Sequence, residues 1–286
     1  PTGTTKRSGG AVIHSQGTVS INGGTFDQIT ILLNGVNISS PQTGHNAADF
    51  PVSLSDIERI EVLEGASARV FGSSAFNGAI NIVTRPDRES CVRLSAEGGS
   101  FGSFGGDFGV SLLTGSVSQK LSGGYTQSDG GTKNSDFKRR RAYYTGSYTS
   151  RYADLVWQAG LSSQDYGAST FYSAKFDNQW EATRRIITSA QADIKPFGDE
   201  RLVITPQAYW HRDVDHYQLT RGKEGAKNGE NYHRTDVYGA SLNAHATWLL
   251  GKTAVGMDIR KEHILSTAYG DLLPENEWKD IHGTDR

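Results

Sequence analysis

Several features are scarce in this sequence of 286 residues, and each scarcity removes a class of protein. A single cysteine, Cys91, excludes an internal disulfide. The 29 basic and 31 acidic residues leave a net charge of −2, so there is no basic excess that would indicate a nucleic-acid partner. No apolar run reaches about 18 residues, which excludes a transmembrane helix, although this test is blind to barrel strands.

Catalytic signatures are also missing. The sequence has no Ser/His/Asp or Cys/His pattern with catalytic spacing, no HExxH and no P-loop, so we expect neither an enzyme nor a cofactor. The glycine-rich stretch 98–106 is not followed by Lys-Ser/Thr or by a helical pattern, which favours a hairpin turn over a phosphate loop. Asp213 and Asp215, with His211 and His216 nearby, could attract a divalent cation, but the oxygen ligands are too few and no metal site is expected.

From residue 90 onward, nine segments alternate apolar with polar or small side chains. In 236–250 the even positions include Tyr238, Leu242 and Trp248, whereas the odd positions include Asn243 and His245. The ten residues from one aromatic to the other, at ~3.3 Å each and tilted by ~40°, span ~25 Å, which is the height of the apolar band of an outer-membrane barrel. This pattern predicts transmembrane β-strands.

The lengths of the connections distinguish a barrel from a soluble sandwich, whose strands would also alternate. Short turns on one rim and long loops on the other are typical of outer-membrane barrels. The tight connections are 114–116, 150–152 and 250–251, and the long ones are 127–138, 164–179 and 214–233. Complete single-chain barrels have an even number of strands, and the N-terminus has neither Met nor a signal core, so we expect a piece of a longer protein.

Residues 56–84 hold the most specific motif, DIERIEVLEGASARVFGSSAFNGAINIVT. Two β-type runs, 59–63 and 79–84, flank small residues and glycines, which predicts a strand, a turn with one helical turn, and a second strand. Over its 29 positions the motif closely resembles the C-terminal half of the plug domain of TonB-dependent outer-membrane receptors. It departs from that family at 64–66, where Glu-Gly-Ala replaces Arg-Gly-Pro.

The resemblance implies an all-β membrane protein of the Gram-negative outer membrane, in which an α+β plug lies inside an antiparallel transmembrane β-barrel of about 22 strands. Residues 1–86 are then the C-terminal part of the plug, and 87–286 are the first nine or so strands of a truncated barrel. The implied function is TonB-dependent active uptake of a large, scarce nutrient. A TonB-ExbB-ExbD-type complex would supply the energy through an N-terminal box missing from this chain, and the family also allows a surface lipoprotein partner.

The outer loop of the plug is predicted to face the ligand. β-type runs at 18–21 and 29–33 and an Asn34-Gly35 hairpin signal precede the polar, turn-rich stretch 39–49. In the resembled fold this stretch faces the outside, and an ordinary solvated loop is the alternative. The expected ligand contacts are Gln42, His45 and Asn46.

The strand at 59–64 alternates apolar with charged residues, so one face is predicted to be buried and the other to carry charge. Ile60 and Val62 form the predicted buried face. In an enclosed plug the charged face can pair with the inner wall of the barrel, and buried ion pairs are natural elements of a switch. The expected plug–barrel contacts are Arg59, Glu61 and Arg69, and a solvated strand face is the alternative.

The stretch 164–181 is more aromatic than a connector requires, and exposed aromatic side chains bind planar ligands and protein partners alike. Its expected ligand contacts are Tyr166, Phe171, Tyr172 and Trp180. GASTFYSAKF at 167–176 and TGHNAADFPVSLS at 43–55 resemble the vitamin B12 (cobalamin) receptor branch of Bacteroidota-type bacteria, which implies a corrinoid ligand. A ferric siderophore, which is an iron-chelate ligand, or another nutrient of the same family is the alternative.

Three further functions stay open: a surface-interaction protein, a passive pore and a ligand-sensing receptor. A passive pore would not need the occluding segment at 12–86, and a ligand sensor would signal through an N-terminal extension. The basic run 138–141 stands at the mouth of a strand, where it could contact lipopolysaccharide phosphates, an acidic partner loop or only solvent.

Overall fold

The computed structural model describes residues 29–42, 49–63, 78–84, 89–249, 251–268 and 271–272, which form two β-sheets. The predicted strand at 18–21 and the candidate residues His45, Asn46 and Arg69 lie outside the described residues. In the part of the chain that the structure describes, no helix is long and apolar enough to cross a membrane.

The first sheet, which we call the plug sheet, has four strands in the order β2-β1-β4-β3. Its strands are β1 (Ile29–Leu33), β2 (Val36–Asn37), β3 (Ile57–Leu63) and β4 (Gly78–Thr84). β4 is parallel to β1 and antiparallel to β3. The Asn34-Gly35 turn joins β1 to β2 as predicted, with left-handed φ values of 51° and 80°, which a two-residue hairpin of this type requires.

The second sheet, which we call the wall, is a meander in which each strand pairs antiparallel with its neighbour in sequence. Nine strands of eight residues or more, in agreement with the nine predicted segments, are followed by a strand of two residues. They are β5 (Cys91–Gly98), β6 (Phe104–Thr114), β7 (Val117–Ser128), β8 (Phe137–Thr149), β9 (Ala153–Ser169), β10 (Gln179–Ile194), β11 (Leu202–Gln218), β12 (Glu230–Trp248), β13 (Gly251–Ala268) and β14 (Asp271–Leu272).

The wall has two unlike rims, as the connection lengths predict. The turn rim carries connections such as 115–116 and 150–152, and the loop rim carries 129–136, 170–178 and 219–229. The long loops are shorter than predicted because the strands continue, still paired, past the apolar band. Two residues predicted to lie in a loop are therefore in strands: Tyr166 belongs to β9 and Trp180 to β10.

The predicted alternation of the wall is confirmed by the register. Leu242 of β12 and Met257 of β13 are cross-strand partners on the outer face, where they are 50% and 65% exposed. The neighbouring face points to the plug sheet, and there Tyr209 and Val237 are buried. At these positions, successive side chains of β11, β12 and β13 thus alternate between an apolar outer surface and the inner face.

The core lies between the two sheets. Apolar residues of β1, β2 and β4 pack with inward side chains of the wall, among them Tyr143 and Ile187. Pro51 approaches Gly160 of β9 so closely that a Cβ on this glycine would lie 2.6 Å from Pro51 Cγ. The predicted buried face of β3 is wrong, because β3 is the edge strand of the plug sheet: Ile60 and Val62 are more than half exposed.

The alternation of β12 makes a testable prediction about membrane assembly. Ala244 pairs with Ile204 and Val255 on the outer face, whereas Asn243 lines an inner cavity. We expect Ala244→Arg to cost ~2–4 kcal/mol near the middle of the apolar band and Asn243→Arg to cost much less. The measurement is heat-modifiable folding of the full-length protein in outer membranes, and equal losses for the two variants would show the register to be wrong.

Candidate functional site

Residues 49–56, which we call the outer plug segment, connect the plug sheet to the wall through two buried carboxylates. The first is Asp56, at the end of the short 3-10 helix Leu54–Asp56. Its carboxylate lies 2.9 Å from Lys120 Nζ and accepts hydrogen bonds from Ser122 Oγ at 2.7 Å and from the Ser53 N–H at 3.1 Å. Since Asp56 and Lys120 are each at least 97% buried, this ion pair is shielded from water.

The second carboxylate, Asp49, contacts three neighbouring wall strands. Ser162 Oγ donates to it at 2.7 Å and Thr183 Oγ1 at 3.2 Å, and Arg139 Nη2 lies 3.7 Å away. Arg185 donates from Nη1 to the Asp49 carbonyl oxygen at 2.9 Å and also bonds to Asp213. Through Asp49 alone, the outer plug segment is thus bonded to three wall strands, β8, β9 and β10.

A third contact is made by the tip of the β1–β2 hairpin. Asn34 Nδ2 lies 3.0 Å from Tyr143 Oη and 2.9 Å from Gln158 Oε1, both of the wall. Gln158 Nε2 donates in return to the Leu33 carbonyl oxygen at 3.3 Å. The turn that the Asn-Gly pair creates therefore docks against the inner wall as well as closing the hairpin.

The predicted plug–barrel contacts are elsewhere. Arg59 Nε bonds to Glu61 Oε1 at 2.7 Å, and Asn81 Nδ2 donates to Glu61 at 2.8 Å, so this network stays within the plug sheet. The hydrogen bond from Asn81, and to a smaller extent the one from Arg59, holds the pKa of Glu61 below its ordinary value. The prediction for Arg59 and Glu61 is wrong in the described residues, because their charges compensate each other on an exposed edge strand.

A cavity of about 440 Å³ separates the plug sheet from the wall near Arg59. Neutral amide side chains dominate its lining, and Arg59 and Asp258 contribute one charge of each sign. The amides are Asn34, Asn37, Asn81, Gln191, Gln207 and Asn243. Such a lining can donate and accept hydrogen bonds without attracting ions of one sign.

Toward the loop rim, the inner face of the wall is acidic and aromatic. Tyr166 Oη and Tyr172 Oη each donate to Glu181 Oε2 at 2.5 Å. Burial and the charge of Glu181 raise the pKa of the Tyr172 hydroxyl, which therefore stays a donor. Tyr172 is 37% exposed and makes edge contacts with Phe171 and Tyr217.

The seven predicted ligand residues therefore separate into groups. Phe171 and Tyr172 are together and exposed on the loop rim. Tyr166 is 1% exposed, so it supports Glu181 instead of presenting a ligand surface. Gln42 hydrogen-bonds to Asp215 and is a plug–wall contact.

Trp180 occupies the opposite face of β10 from the residues that contact the plug. Thr183 points inward to Asp49, and Trp180, an odd number of residues away, points outward and makes an edge contact with His216. The prediction that Trp180 lines the ligand site with Tyr172 is therefore wrong. Strand parity in the sequence would have placed it correctly if β10 had been predicted to begin at Gln179.

The cation candidates are also divided between faces. His211 and Asp213 point inward, where Asp213 bonds to Arg185, whereas His216 points outward and lies 2.8 Å from Glu230. Within the described ranges, no three His, Cys, Asp or Glu residues are grouped so as to hold a metal ion.

Salt bridges join the loops of the loop rim. Arg221 binds Asp136 through two hydrogen bonds of 2.6 and 2.8 Å, and Lys133 binds Asp177 at 2.6 Å. The hydrogen bond from Arg221 holds the pKa of Asp136 below its ordinary value, so this carboxylate is charged at neutral pH. Three long loops are therefore linked, and two of their cations are engaged by carboxylates.

The contacts of Asp49 and Asp56 are not predicted from the sequence, because the two residues lie in a stretch that resembles a polar loop. A signal exists: Lys120, Arg139 and Arg185 are cations at inward positions of strands, and each requires a partner. The sequence does not reveal which carboxylate supplies it, because the pairing depends on how the plug sheet lies in the wall.

Known proteins resemble the chain both in its plug part and in its wall part. The family model of the TonB-dependent Receptor Plug Domain matches residues 3–79. The vitamin B12 transporter BtuB of Photobacterium profundum is 30% identical over 244 residues, which cover 72% of this chain and 39% of that protein. The BtuB of Vibrio vulnificus is 28% identical over 188 residues, which cover 58% of this chain and 30% of that protein. The chain spans less than two fifths of the length of either relative.

Solved structures share the fold at low identity. The copper transporter OprC superposes with a TM-score of 0.70 at 17% identity, covering 90% of this chain and 42% of that structure. The unliganded ferric citrate transporter FecA superposes with a TM-score of 0.68 at 16% identity, covering 86% of this chain and 41% of that structure. This likeness establishes the architecture of a plug within a β-barrel.

The buried Asp56–Lys120 pair generates a prediction about plug seating. Asp56→Ala removes the carboxylate partner of a buried ammonium group, so we expect local opening of the outer plug segment to become ~3–5 kcal/mol easier. Hydrogen exchange of amides 49–63 in the full-length protein measures this free energy.

The control for that measurement is Glu58→Ala, which removes an exposed carboxylate of the same plug sheet and is expected to change stability by less than ~1 kcal/mol. The double variant Asp56→Ala/Lys120→Met should recover much of the loss, because an apolar replacement leaves no buried charge. Unchanged exchange in Asp56→Ala would show that the pair does not hold the segment.

Proposed function

Because the chain belongs to the TonB-dependent outer-membrane receptors, we propose that the whole protein takes up a large, scarce, uncharged nutrient and that this nutrient is a corrinoid. The observation that carries the proposal is the acidic and aromatic character of the wall beneath the loop rim. Glu181 and Asp215 lie there, beside the exposed rings of Phe171 and Tyr172. A polyanionic ferric chelate would instead require converging cations.

The cations near this region support the same choice. Arg139 and Arg185 point inward but are bonded to the plug, and Arg221 and Lys133 are bonded to carboxylates of neighbouring loops. Aromatic rings then offer apolar contact to a macrocycle at a low cost in conformational entropy. The B12 transporters of Photobacterium and Vibrio, to which the chain is similar, support the corrinoid over other nutrients.

The amide-lined cavity supports an uncharged ligand with peripheral amide groups. Asn and Gln side chains can exchange hydrogen bonds with such groups while the ligand moves between the plug sheet and the wall. In this proposal the ligand first contacts the loop rim, then the plug loop that includes Gln42, His45 and Asn46, and afterwards the cavity. None of these groups acts as a catalyst.

The buried contacts of the outer plug segment support gated uptake over a passive pore. Asp49 and Asp56 hold the plug against the wall, so passage requires energy from outside the chain. We attribute this energy to a TonB-ExbB-ExbD-type complex that pulls the plug from its N-terminal side. Ligand release then follows from the difference in affinity between the closed and the pulled states.

Binding of cyanocobalamin to the full-length receptor in detergent tests the ligand. We expect a submicromolar Kd for the parent and a roughly tenfold or larger increase for Phe171→Ala/Tyr172→Ala, because buried aromatic contacts dominate such interfaces. The matched control is Trp180→Ala, which removes an aromatic side chain from the outward face of β10 and should leave Kd unchanged.

The outcomes of this test separate the ligand from the site. A parent that fails to bind cyanocobalamin but binds a ferric siderophore would reject the corrinoid and favour the iron chelate. A parent that binds, with an unaffected Phe171→Ala/Tyr172→Ala variant, would keep the corrinoid and reject the role of the loop rim.

A further inference from the structure

The outer face of the wall carries a group of cations just above its apolar surface. Lys138 and Arg140 of β8 and Arg184 of β10 point outward, because their neighbours Arg139, Thr183 and Arg185 point inward to the plug. We propose that these three side chains bind the phosphate groups of a glycolipid, the lipopolysaccharide of the outer leaflet. The basic run 138–141 thus faces two surfaces, since Arg139 binds the plug directly and Arg141 binds Asp107, which accepts a hydrogen bond from Ser53 of the plug.

The register brings the two arginines together. Arg140 pairs with Ser163 of β9, and Ser163 pairs on its other side with Arg184. Two strand spacings of ~4.8 Å place the two Cα atoms about 10 Å apart, and both side chains lie on one face. Two guanidinium groups at this separation can reach one phosphate or two adjacent ones, and the Ser163 hydroxyl lies between them.

The height of the group lets its side chains reach the lipid headgroups. From Tyr148, near the turn rim, to Arg140 there are eight residues of β8, which at ~3.3 Å each and a tilt of ~40° rise by ~20 Å. The apolar band of an outer-membrane barrel is about 25 Å tall, and an extended arginine side chain spans the remaining ~5 Å. Arg140 also lies 5.7 Å from the ring centroid of Tyr125, an aromatic partner typical of the membrane interface.

The local charge is positive. Asp165 is the carboxylate that approaches Arg140, at 3.8 Å, with both side chains more than one third exposed, so the pair is loose and screened. Arg184 and Lys138 have no ion pair among the described residues. The next outward arginine along the wall, Arg212, is engaged by Asp236 through two hydrogen bonds and does not add to the group.

The surface below the cations indicates a lipid as the occupant. Two residues closer to the turn rim on the same three strands, the outward side chains are Ala142, Leu161 and Ile186, and Leu161 is 52% exposed. An acidic protein would cover the cations but leave this apolar surface uncovered. A phosphorylated glycolipid covers both, with phosphates on the cations and acyl chains on the apolar side chains.

The experiment compares lipid binding by the full-length protein and by Arg140→Gln/Arg184→Gln in detergent. Native mass spectrometry with bisphosphorylated lipid A measures the dissociation constant, and we expect a roughly tenfold or larger weakening from the loss of two charge-assisted contacts. The matched control is Arg151→Gln/Arg201→Gln, which removes two arginines from the turn rim and should leave binding unchanged.

Two further measurements make the test decisive. Heat-modifiable migration verifies that each variant is folded. A Lys138→Gln variant that folds normally provides a second test of the same site, for which we expect a smaller loss of lipid affinity. Lipid A without phosphates should bind the parent as weakly as it binds Arg140→Gln/Arg184→Gln. The proposal would be overturned if the parent bound the two lipids equally, or if the two double variants lost the same amount of lipid affinity. Binding of an acidic protein that does not depend on lipid would also overturn it.

Discussion

The two-residue period of the β-strand is the constraint on which the structure depends. Because successive side chains of a wall strand point to opposite faces, Arg139 and Arg140 are neighbours in sequence but meet a carboxylate of the plug and the membrane side, respectively. Plug seating and the proposed lipid contact are therefore encoded in the same strands at alternate positions. A shift of one residue in the register would exchange the two sets.

The parts of the fold that could be predicted from sequence are those that depend on local periodicity. Alternation along β12 and the Asn34-Gly35 pair each specify their structure within a few residues, so the wall strands and the hairpin were found. The same rule would have assigned Trp180 to the outer face. It was misplaced because the aromatic residues around it suggested a loop, whereas the paired strand begins at Gln179.

The plug–wall contacts could not be predicted because they join residues that are distant in sequence. Asp49 meets Arg139 and Asp56 meets Lys120 only after the plug sheet has taken its place beside the wall. No local pattern specifies that placement, and Arg59 and Glu61 were plausible partners on charge alone. Their mutual salt bridge, on the edge strand, satisfies both of them without the wall.

The seating of two plug carboxylates against wall cations has an electrical consequence. When the outer plug segment leaves the wall, two negative charges leave with it, and Lys120 and Arg139 then face water where Asp56 and Asp49 had been. In the proposed transport cycle, the two wall positions that Asp56 and Asp49 leave would each carry an uncompensated positive charge, which attracts small anions.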